Sequence, residues 1–520
     1  MSPRTRTAAA PAPAVTTAQR LASIVKSARD IMRKDKGLNG DLDRLPMLVW
    51  IMFLKFLDDL DRVRETEAQL AESSFVPTVE SPYRWRDWAA NNEGITGNAL
   101  LSFVNDERVR LPDGSEIPGL FAYLRSLQGA VGGDRRDVVA AVFRGTVNRM
   151  INGYLLRDMV NKVDEIHFAS SDETHTLGLL YESMLREMRD AAGDSGEFYT
   201  PRPLVRFMVT VVDPRPGETV LDPACGTGGF LVEAFAHMLG AAQTAEDRRA
   251  VEAGVQGGEA KPLPFLLAQM NLLLHGVERP RINTGNSLNV RLAEIGERDR
   301  VDVVLTNPPF GGEEERGVLD NFPADRRTGE TALLFLQLIM RRLKRPTATA
   351  ASGGRAAVVV PNGILSADGV AARVKQDLVE GFNLHTVVRL PNGVFSPYTP
   401  IPTNLLFFDR SGPTDSVWYY EHPLPSDRKA YTKTNPVKFD EFTPLLTWWG
   451  SRVDTERAWK VPVSTLRASG YNLDLSNPNR AADPETMPAE DLVDLIASDA
   501  QRLQELMATI SKILTSHARS

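Results

Sequence analysis

Cysteine is nearly absent from this sequence: one residue of 520, Cys225. An intrachain disulfide is excluded, and so sparse a thiol content fits a reducing cytoplasm. The seven histidines form no metal-ligand spacing with that cysteine, so no metal site is expected. Long hydrophobic runs are missing as well. The most apolar segment, Met47 to Leu57, is too short for a membrane span and is interrupted by Lys55. Positive charge is not in excess either: 60 Lys and Arg against 67 Asp and Glu give a net charge of −7, a poor balance for gripping a polyanion unaided. Met1 to Arg20 lacks any acidic residue and any amphipathic pattern, so residues 1–17 are expected to be a disordered leader rather than a transit peptide. The remainder, 42% hydrophobic and 24% charged overall, has the composition of a globular protein.

Against these absences stand several motifs. Val220-Leu221-Asp222 is a short apolar strand that runs into Pro223-Ala224-Cys225-Gly226-Thr227-Gly228-Gly229-Phe230 and then into a helix. Gly226, Gly228 and Gly229 suit a turn that needs positive φ or a close ligand approach, and a helix N-terminus supplies unpaired N–H groups. No Lys-Ser or Lys-Thr follows the glycines, which argues against a phosphate-binding P-loop. A glycine loop alone is compatible with many doubly wound proteins. The segment Val255 to Glu259 sharpens the reading, because it is a second strand ending in a carboxylate where such folds bind a ribose hydroxyl pair. The competing reading of Glu259 is a solvated surface acid.

A third strand, Val301 to Thr306, ends in Asn307-Pro308-Pro309-Phe310. The Asn307 amide oxygen and the Pro308 carbonyl can both accept hydrogen bonds from an NH2 group whose lone pair is delocalised into a ring. Such bonds draw the nitrogen toward tetrahedral geometry and place acceptors where positive charge develops. Two successive prolines remove backbone donors, and Phe310 offers a flat face for a planar base. Taken alone, the tetrapeptide is equally a strand-ending turn. The only thiol lies inside the glycine loop, so covalent attack by a thiolate on a cytosine ring is excluded.

Upstream, Gly196-Glu197-Phe198-Tyr199-Thr200-Pro201-Arg202-Pro203 reads as an irregular clamp, and Met270 to Gly276 completes the set. These four motifs, in this order, resemble the modification (M) subunit of type I restriction-modification systems, a family of DNA adenine-N6 methyltransferases. Gly40 to Leu57, Val387 to Phe395, Pro402 to Phe408 and Tyr471 to Leu475 resemble further parts of that family. The resemblance implies S-adenosyl-L-methionine as cofactor. Glu197, Phe198, Tyr199, Thr200, Pro201 and Arg202 would line its methionine end, Asp222 its amino group, and Gly226, Thr227, Gly228 and Gly229 its tail. Glu259 would hold the ribose, and Asn307, Pro308, Pro309 and Phe310 would be catalytic. Asn286 stands where the family often carries an aspartate near the cofactor adenine, a departure that leaves its contact open.

The same resemblance implies DNA with the target adenine flipped out, a separate specificity (S) subunit, a motor and nuclease (R) subunit for cleavage, and two copies of this chain per complex. The expected fold is an α/β, Rossmann-like, mostly parallel doubly wound sheet over 195–475, a helical N-terminal domain over 18–190 and a helical tail over 476–520. Leu492, Ile496, Ala500, Leu503, Met507, Ile510 and Leu514 recur along one face of a tail helix, suited to a partner helix or to this chain's own core. Gly311 to Glu330 reads as a long polar connection, either a loop that closes on DNA or a plain solvated one, with Arg326 and Arg327 as its phosphate partners. Alternatives are a stand-alone adenine methyltransferase, for which no DNA-reading module is evident, a protein glutamine-N5 methyltransferase, and a non-enzymatic scaffold.

Overall fold

The computed structural model describes residues 17–91, 94–111, 114–129, 135–167, 200–311, 314–396, 399, 401–432, 434–479 and positions 500, 501, 503, 504 and 507. The first part is helical. A helix over Thr17–Met32 is followed by a 30-residue helix over Asp41–Leu70 that contains the apolar run noted above. Shorter helices over Gly97–Asn105, Leu120–Ser126, Arg135–Arg144 and Gly153–Asp164 pack around it. A small antiparallel ribbon, β1 (Arg108–Arg110) and β2 (Glu116–Pro118), lies among them. Among the described residues no helix is long and apolar enough to cross a membrane.

The second part is a nine-stranded sheet. Its strands are β3 (Val220–Asp222), β4 (Val255–Glu259), β5 (Arg281–Thr284), β6 (Val303–Thr306), β7 (Arg355–Pro361), β8 (Asn383–Arg389), β9 (Thr403–Asp409), β10 (Ser416–Glu421) and β11 (Ala458–Pro462). Their spatial order is β11-β10-β8-β9-β7-β6-β3-β4-β5. All neighbours from β5 to β7 are parallel, while β9 runs antiparallel between β7 and β8, and β11 antiparallel at the edge. The parallel strands are apolar without alternation because helices cover both faces: β3 and β6 are buried at every position.

Two apolar layers result. Val303, Leu305, Ala357, Val359 and Phe407 face one core, and Val304, Ala356, Val358, Leu406 and Phe408 face the other. The first core is continuous with the N-terminal helices. Those helices dock on the helix Pro262–Leu274, where Gly145 lies so close to Pro262 that a Cβ there would fall 2.9 Å from the Pro262 Cβ. Nearby, Arg64 pairs with the Glu278 carboxylate at 2.8 Å, and Arg135 Nε donates to the Glu278 carbonyl at 3.2 Å.

The chain leaves β3 outward to β4 and β5, then returns to lay β6 on the other side of β3. Such a reversal opens a crevice at the carboxyl ends of the two strands on either side of it, where doubly wound folds bind their ligands. Asp222 ends β3 and Asn307 follows β6, so both stand at that crevice, with Glu259 ending the adjacent β4.

Candidate active site

The glycine loop is built around carboxylates. Asp222, almost fully buried, accepts from the Ala224 amide at 3.1 Å and from the Thr306 hydroxyl at 2.6 Å through the same oxygen, Oδ1. Glu259 accepts from the Gly226 amide at 3.0 Å and the Lys261 amide at 2.8 Å. Gly226 (φ 52°) and Gly228 (φ 79°) occupy the left-handed region, which only glycine enters without strain. Gly229 does not: it opens the helix Gly229–Ala241, and its missing side chain makes room for Arg202, whose Nη1 would lie 2.7 Å from a Cβ there.

The segment expected to be irregular up to Pro203 is helical from Arg202 onward, over Arg202–Val212. Pro203 sits in the first turn, where its missing N–H costs no hydrogen bond. Glu197, Phe198 and Tyr199 lie outside the described residues, while Thr200, Pro201 and Arg202 approach the loop.

Burial pushes the Asp222 carboxyl up to about 7; the Thr306 and Ala224 donors oppose the rise, and the nearby Glu259 adds to it. Glu259 is raised by burial against the pull of the Lys261 and Gly226 amides. Burial, with Asp222 and Glu259 beside it, pushes the Cys225 thiol well up, so the group is a thiol and not a nucleophilic thiolate at neutral pH.

At the turn after β6 Asn307 Nδ2 donates to Thr200 Oγ1 at 3.1 Å. Its Oδ1 is buried and has no partner among the described residues. Pro308 is buried, Pro309 half-buried, and the half-buried Phe310 meets Phe395 edge-on at 5.9 Å between ring centroids. A cleft of roughly 320 Å³ runs from the glycine loop to this turn, walled by Pro223, Ala224, Glu259, Asn286, Asn307 and Phe335. A second, of roughly 580 Å³, begins at Phe310, shares Gly311 with the first, and is walled by Pro361, Ile364, Ala367 and Val370.

Comparisons with known proteins identify the family. A family model described as N-6 DNA Methylase matches residues 172–486, and one described as the HsdM N-terminal domain matches residues 21–163. The chain belongs to the N-6 DNA methylase family. It is 46% identical over 484 residues to the Type I restriction enzyme EcoEI methylase subunit of Escherichia coli, covering 90% of this chain and 94% of that one. A crystal structure presented as a modification subunit of a type I restriction enzyme from Vibrio vulnificus YJ016 superposes with a TM-score of 0.82, at 64% identity over 90% of this chain and 99% of that one. A chain from a study of assembly and conformational transition in the type I R-M system gives a TM-score of 0.76, 39% identity and coverage of 96% and 99%. The resemblance to type I modification subunits read from the sequence therefore holds over most of the chain.

Several residues of this N-6 DNA methylase site escaped the sequence reading. Thr306 bonds Asp222. Asn271, fully buried, donates to the Thr227 carbonyl at 2.9 Å and pins the loop from the helix Pro262–Leu274. The Ser287 hydroxyl donates to the Pro223 carbonyl at 2.7 Å, so close beneath β4 that a Cβ on Gly258 would fall 2.3 Å from it. That contact, with Leu231 packed 2.8 Å from the same point on Gly257, explains the glycine pair before Glu259; the pair itself was the available signal. Asn286 lines the cleft, with Oδ1 accepting from the Leu288 amide and Nδ2 donating to Glu314, each at 2.9 Å.

One expectation is corrected. From 314 to 330 the connection after Gly311 is not wholly solvated: it carries short helical segments at Arg316–Leu319 and Ala324–Arg326 and buries Val318 and Phe322 against Leu288, Ile295, Leu334, Phe335 and Leu338. Arg326 is held by both oxygens of Asp377, at 2.6 and 2.9 Å, while the exposed Arg327 pairs with the exposed Asp320 at 2.8 Å.

Proposed function

We propose that this N-6 DNA methylase transfers the methyl group of S-adenosyl-L-methionine to N6 of an adenine flipped out of DNA, as the catalytic modification subunit of a type I restriction-modification complex. The observation that carries the reading is the buried, unpartnered Asn307 Oδ1. A buried acceptor without a donor costs about 1–3 kcal/mol, which an N–H of the target amino group restores. The Pro308 carbonyl supplies the second acceptor, and Pro308 and Pro309 bring no competing N–H to the turn. As positive charge develops on the nitrogen, both acceptors stabilise it, and Phe310 provides the stacking face for the flipped base.

The first cleft suits the cofactor. A carboxylate offers about four acceptor positions; Glu259 fills two with loop amides, which leaves two for a ribose hydroxyl pair. Asn286 stands at the cleft wall for the adenine, Asp222 with Gly226, Thr227, Gly228 and Gly229 for the amino-acid part, and the Glu197 to Arg202 segment for its methionine end. When bound, S-adenosyl-L-methionine supplies an electrophilic methyl carbon on a sulfonium sulfur. The protein's own task is to present the amino nitrogen to that carbon in a dry, donor-poor turn.

Reading of the DNA sequence falls to a separate S subunit, because the net charge of −7 is unsuited to independent DNA capture. Two copies of this chain would join one S subunit, with an R subunit added for cleavage, in the cytoplasm. We divide the chain into a leader (1–17), a helical N-terminal domain (18–190), the catalytic domain (195–475) and a tail for partner contact (476–520). Most of the tail's apolar row falls outside the described residues; Ala500, Leu503 and Met507 are exposed, which supports a partner over docking on this chain.

The test is N6-methyladenine mapping on unmethylated DNA with the cofactor, with and without the S protein, and with Asn307→Ala as control. Methylation at a two-part site only with the S protein, lost in the variant, is expected. Site-specific methylation by the chain alone would instead make it self-sufficient.

A further inference from the structure

We infer that Glu314 and Asn286 together read the adenine of S-adenosyl-L-methionine, Glu314 accepting from its amino group and Asn286 donating to the ring nitrogen beside it. The inference rests on the cofactor cleft proposed above and deepens it by adding a residue that selects the base.

The orientation of the Asn286 amide is fixed from both sides. One end meets a backbone donor, the Leu288 amide at 2.9 Å, so that end is the oxygen; the other meets a carboxylate, Glu314 Oε2 at 2.9 Å, so that end is the nitrogen. Turned over, the group would set donor against donor at Leu288 and acceptor against acceptor at Glu314. Oδ1 is engaged in capping the short helical turn Ser287–Asn289, and Nδ2 keeps one N–H beyond the bond to Glu314.

The cleft wall therefore carries a donor, Asn286 Nδ2, directly beside an acceptor, the Glu314 carboxylate. The amino-bearing edge of adenine has the complementary order, with the N6 donor beside the N1 acceptor. Hypoxanthine, with O6 and N1–H, has that order reversed. Two carboxylates stand in the described wall of this cleft, Glu259 and Glu314. Glu259 is committed to the loop amides and the ribose. Glu314 is the other, and Asn286 fills only one of the about four acceptor positions that a carboxylate offers. Pro309 and Phe335, in the same wall, supply apolar surface for the ring.

The competing role for Glu314 is a strut that ties the segment after Gly311 to the chain beyond β5. Glu314→Gln separates the two. Its amide oxygen can keep the bond from Asn286, but its NH2 then stands where the adenine amino group needs an acceptor. Calorimetry on the full chain, with S-adenosylhomocysteine and with S-inosylhomocysteine as probes, reads binding without turnover. The parent should bind the adenosyl compound at least about tenfold more tightly than the inosyl one, since the latter leaves both wall groups mispaired. Glu314→Gln should weaken the adenosyl compound by about tenfold while the inosyl compound binds as well as before or better, so that the preference disappears. An equal loss for both compounds would overturn the inference in favour of the strut, and an unchanged preference in Glu314→Gln would overturn it outright. Glu259→Ala serves as the control on the cleft: undiminished binding of S-adenosylhomocysteine in that variant would remove the cofactor reading of the cleft itself, whatever Glu314 does.

Discussion

Buried charge is handled in opposite ways in the two parts of this molecule. On the long N-terminal helix the deeply buried ionisable groups mostly meet a partner of opposite charge. Lys55 Nζ lies 2.6 and 2.7 Å from the two oxygens of Asp59 and Asp58 takes Arg86 Nε at 2.9 Å; Asp61 is the exception, taking the neutral amide and hydroxyl of Thr78 at 2.6 and 2.8 Å, with burial raising its pKa. At the sheet crevice Asp222 has only neutral donors, its carboxylate neighbour Glu259 repels it, and at the end of the adjacent strand Asn307 Oδ1 has no donor among the described residues. A matched buried charge holds a fold in register; an unmatched one is held in readiness for a ligand. Both sets are buried to a similar degree, so burial alone does not tell structure from function.

The contrast breaks most visibly where a match is removed. Asp59→Ala leaves Lys55 with Asp164 as its remaining acid, at 4.0 Å, and should destabilise the chain by about 3–5 kcal/mol in urea unfolding. Cofactor binding by the fraction still folded should be unchanged. The reverse pattern is expected of Asn307→Ala: methylation falls about 10²–10³-fold while the unfolding midpoint stays at or slightly above that of the parent, because an unpaired buried acceptor has gone.

Asp222→Asn sharpens the comparison further. An amide oxygen keeps the bonds from Ala224 and Thr306 and sheds the charge, so the ligand-free protein should gain roughly 2 kcal/mol at pH 8, while calorimetry shows weakened cofactor binding. The pH dependence carries the same sign. Between the ordinary carboxylate range and about pH 7 the folded chain keeps a proton on Asp222 that the unfolded chain has released. Stability therefore falls as pH rises through that window and levels off above it, with Glu259 acting in the same direction. Asp222→Asn should flatten the slope, and an unaltered slope would place the buried proton elsewhere. The smallest effect, about 1 kcal/mol, is expected of Thr306→Val, which removes a donor to the charged form and moves the window to higher pH.

What the sequence determined by itself was the set of local devices. Glycines in the β3 turn, a carboxylate ending β4, two prolines after Asn307 and apolar runs without alternation each follow from the conformation or burial of a few neighbouring residues. They were enough to specify a doubly wound sheet and to name most of the crevice. Tertiary structure alone decided which groups meet across the sheet. Thr306 and Asp222 are 84 residues apart, Asn307 and Thr200 107, and Ser287 and Pro223 64. The same holds for the insertion of β9 between β7 and β8, and for the ion pairs that engage Arg326 and Arg327. A hydroxyl or a guanidinium takes whatever partner the packing brings within 3 Å, and its immediate neighbours in sequence do not name that partner. Whether a buried polar atom is satisfied or left without a donor is thus a property of the assembled sheet, and at Asn307 it is the observation on which the proposed role rests.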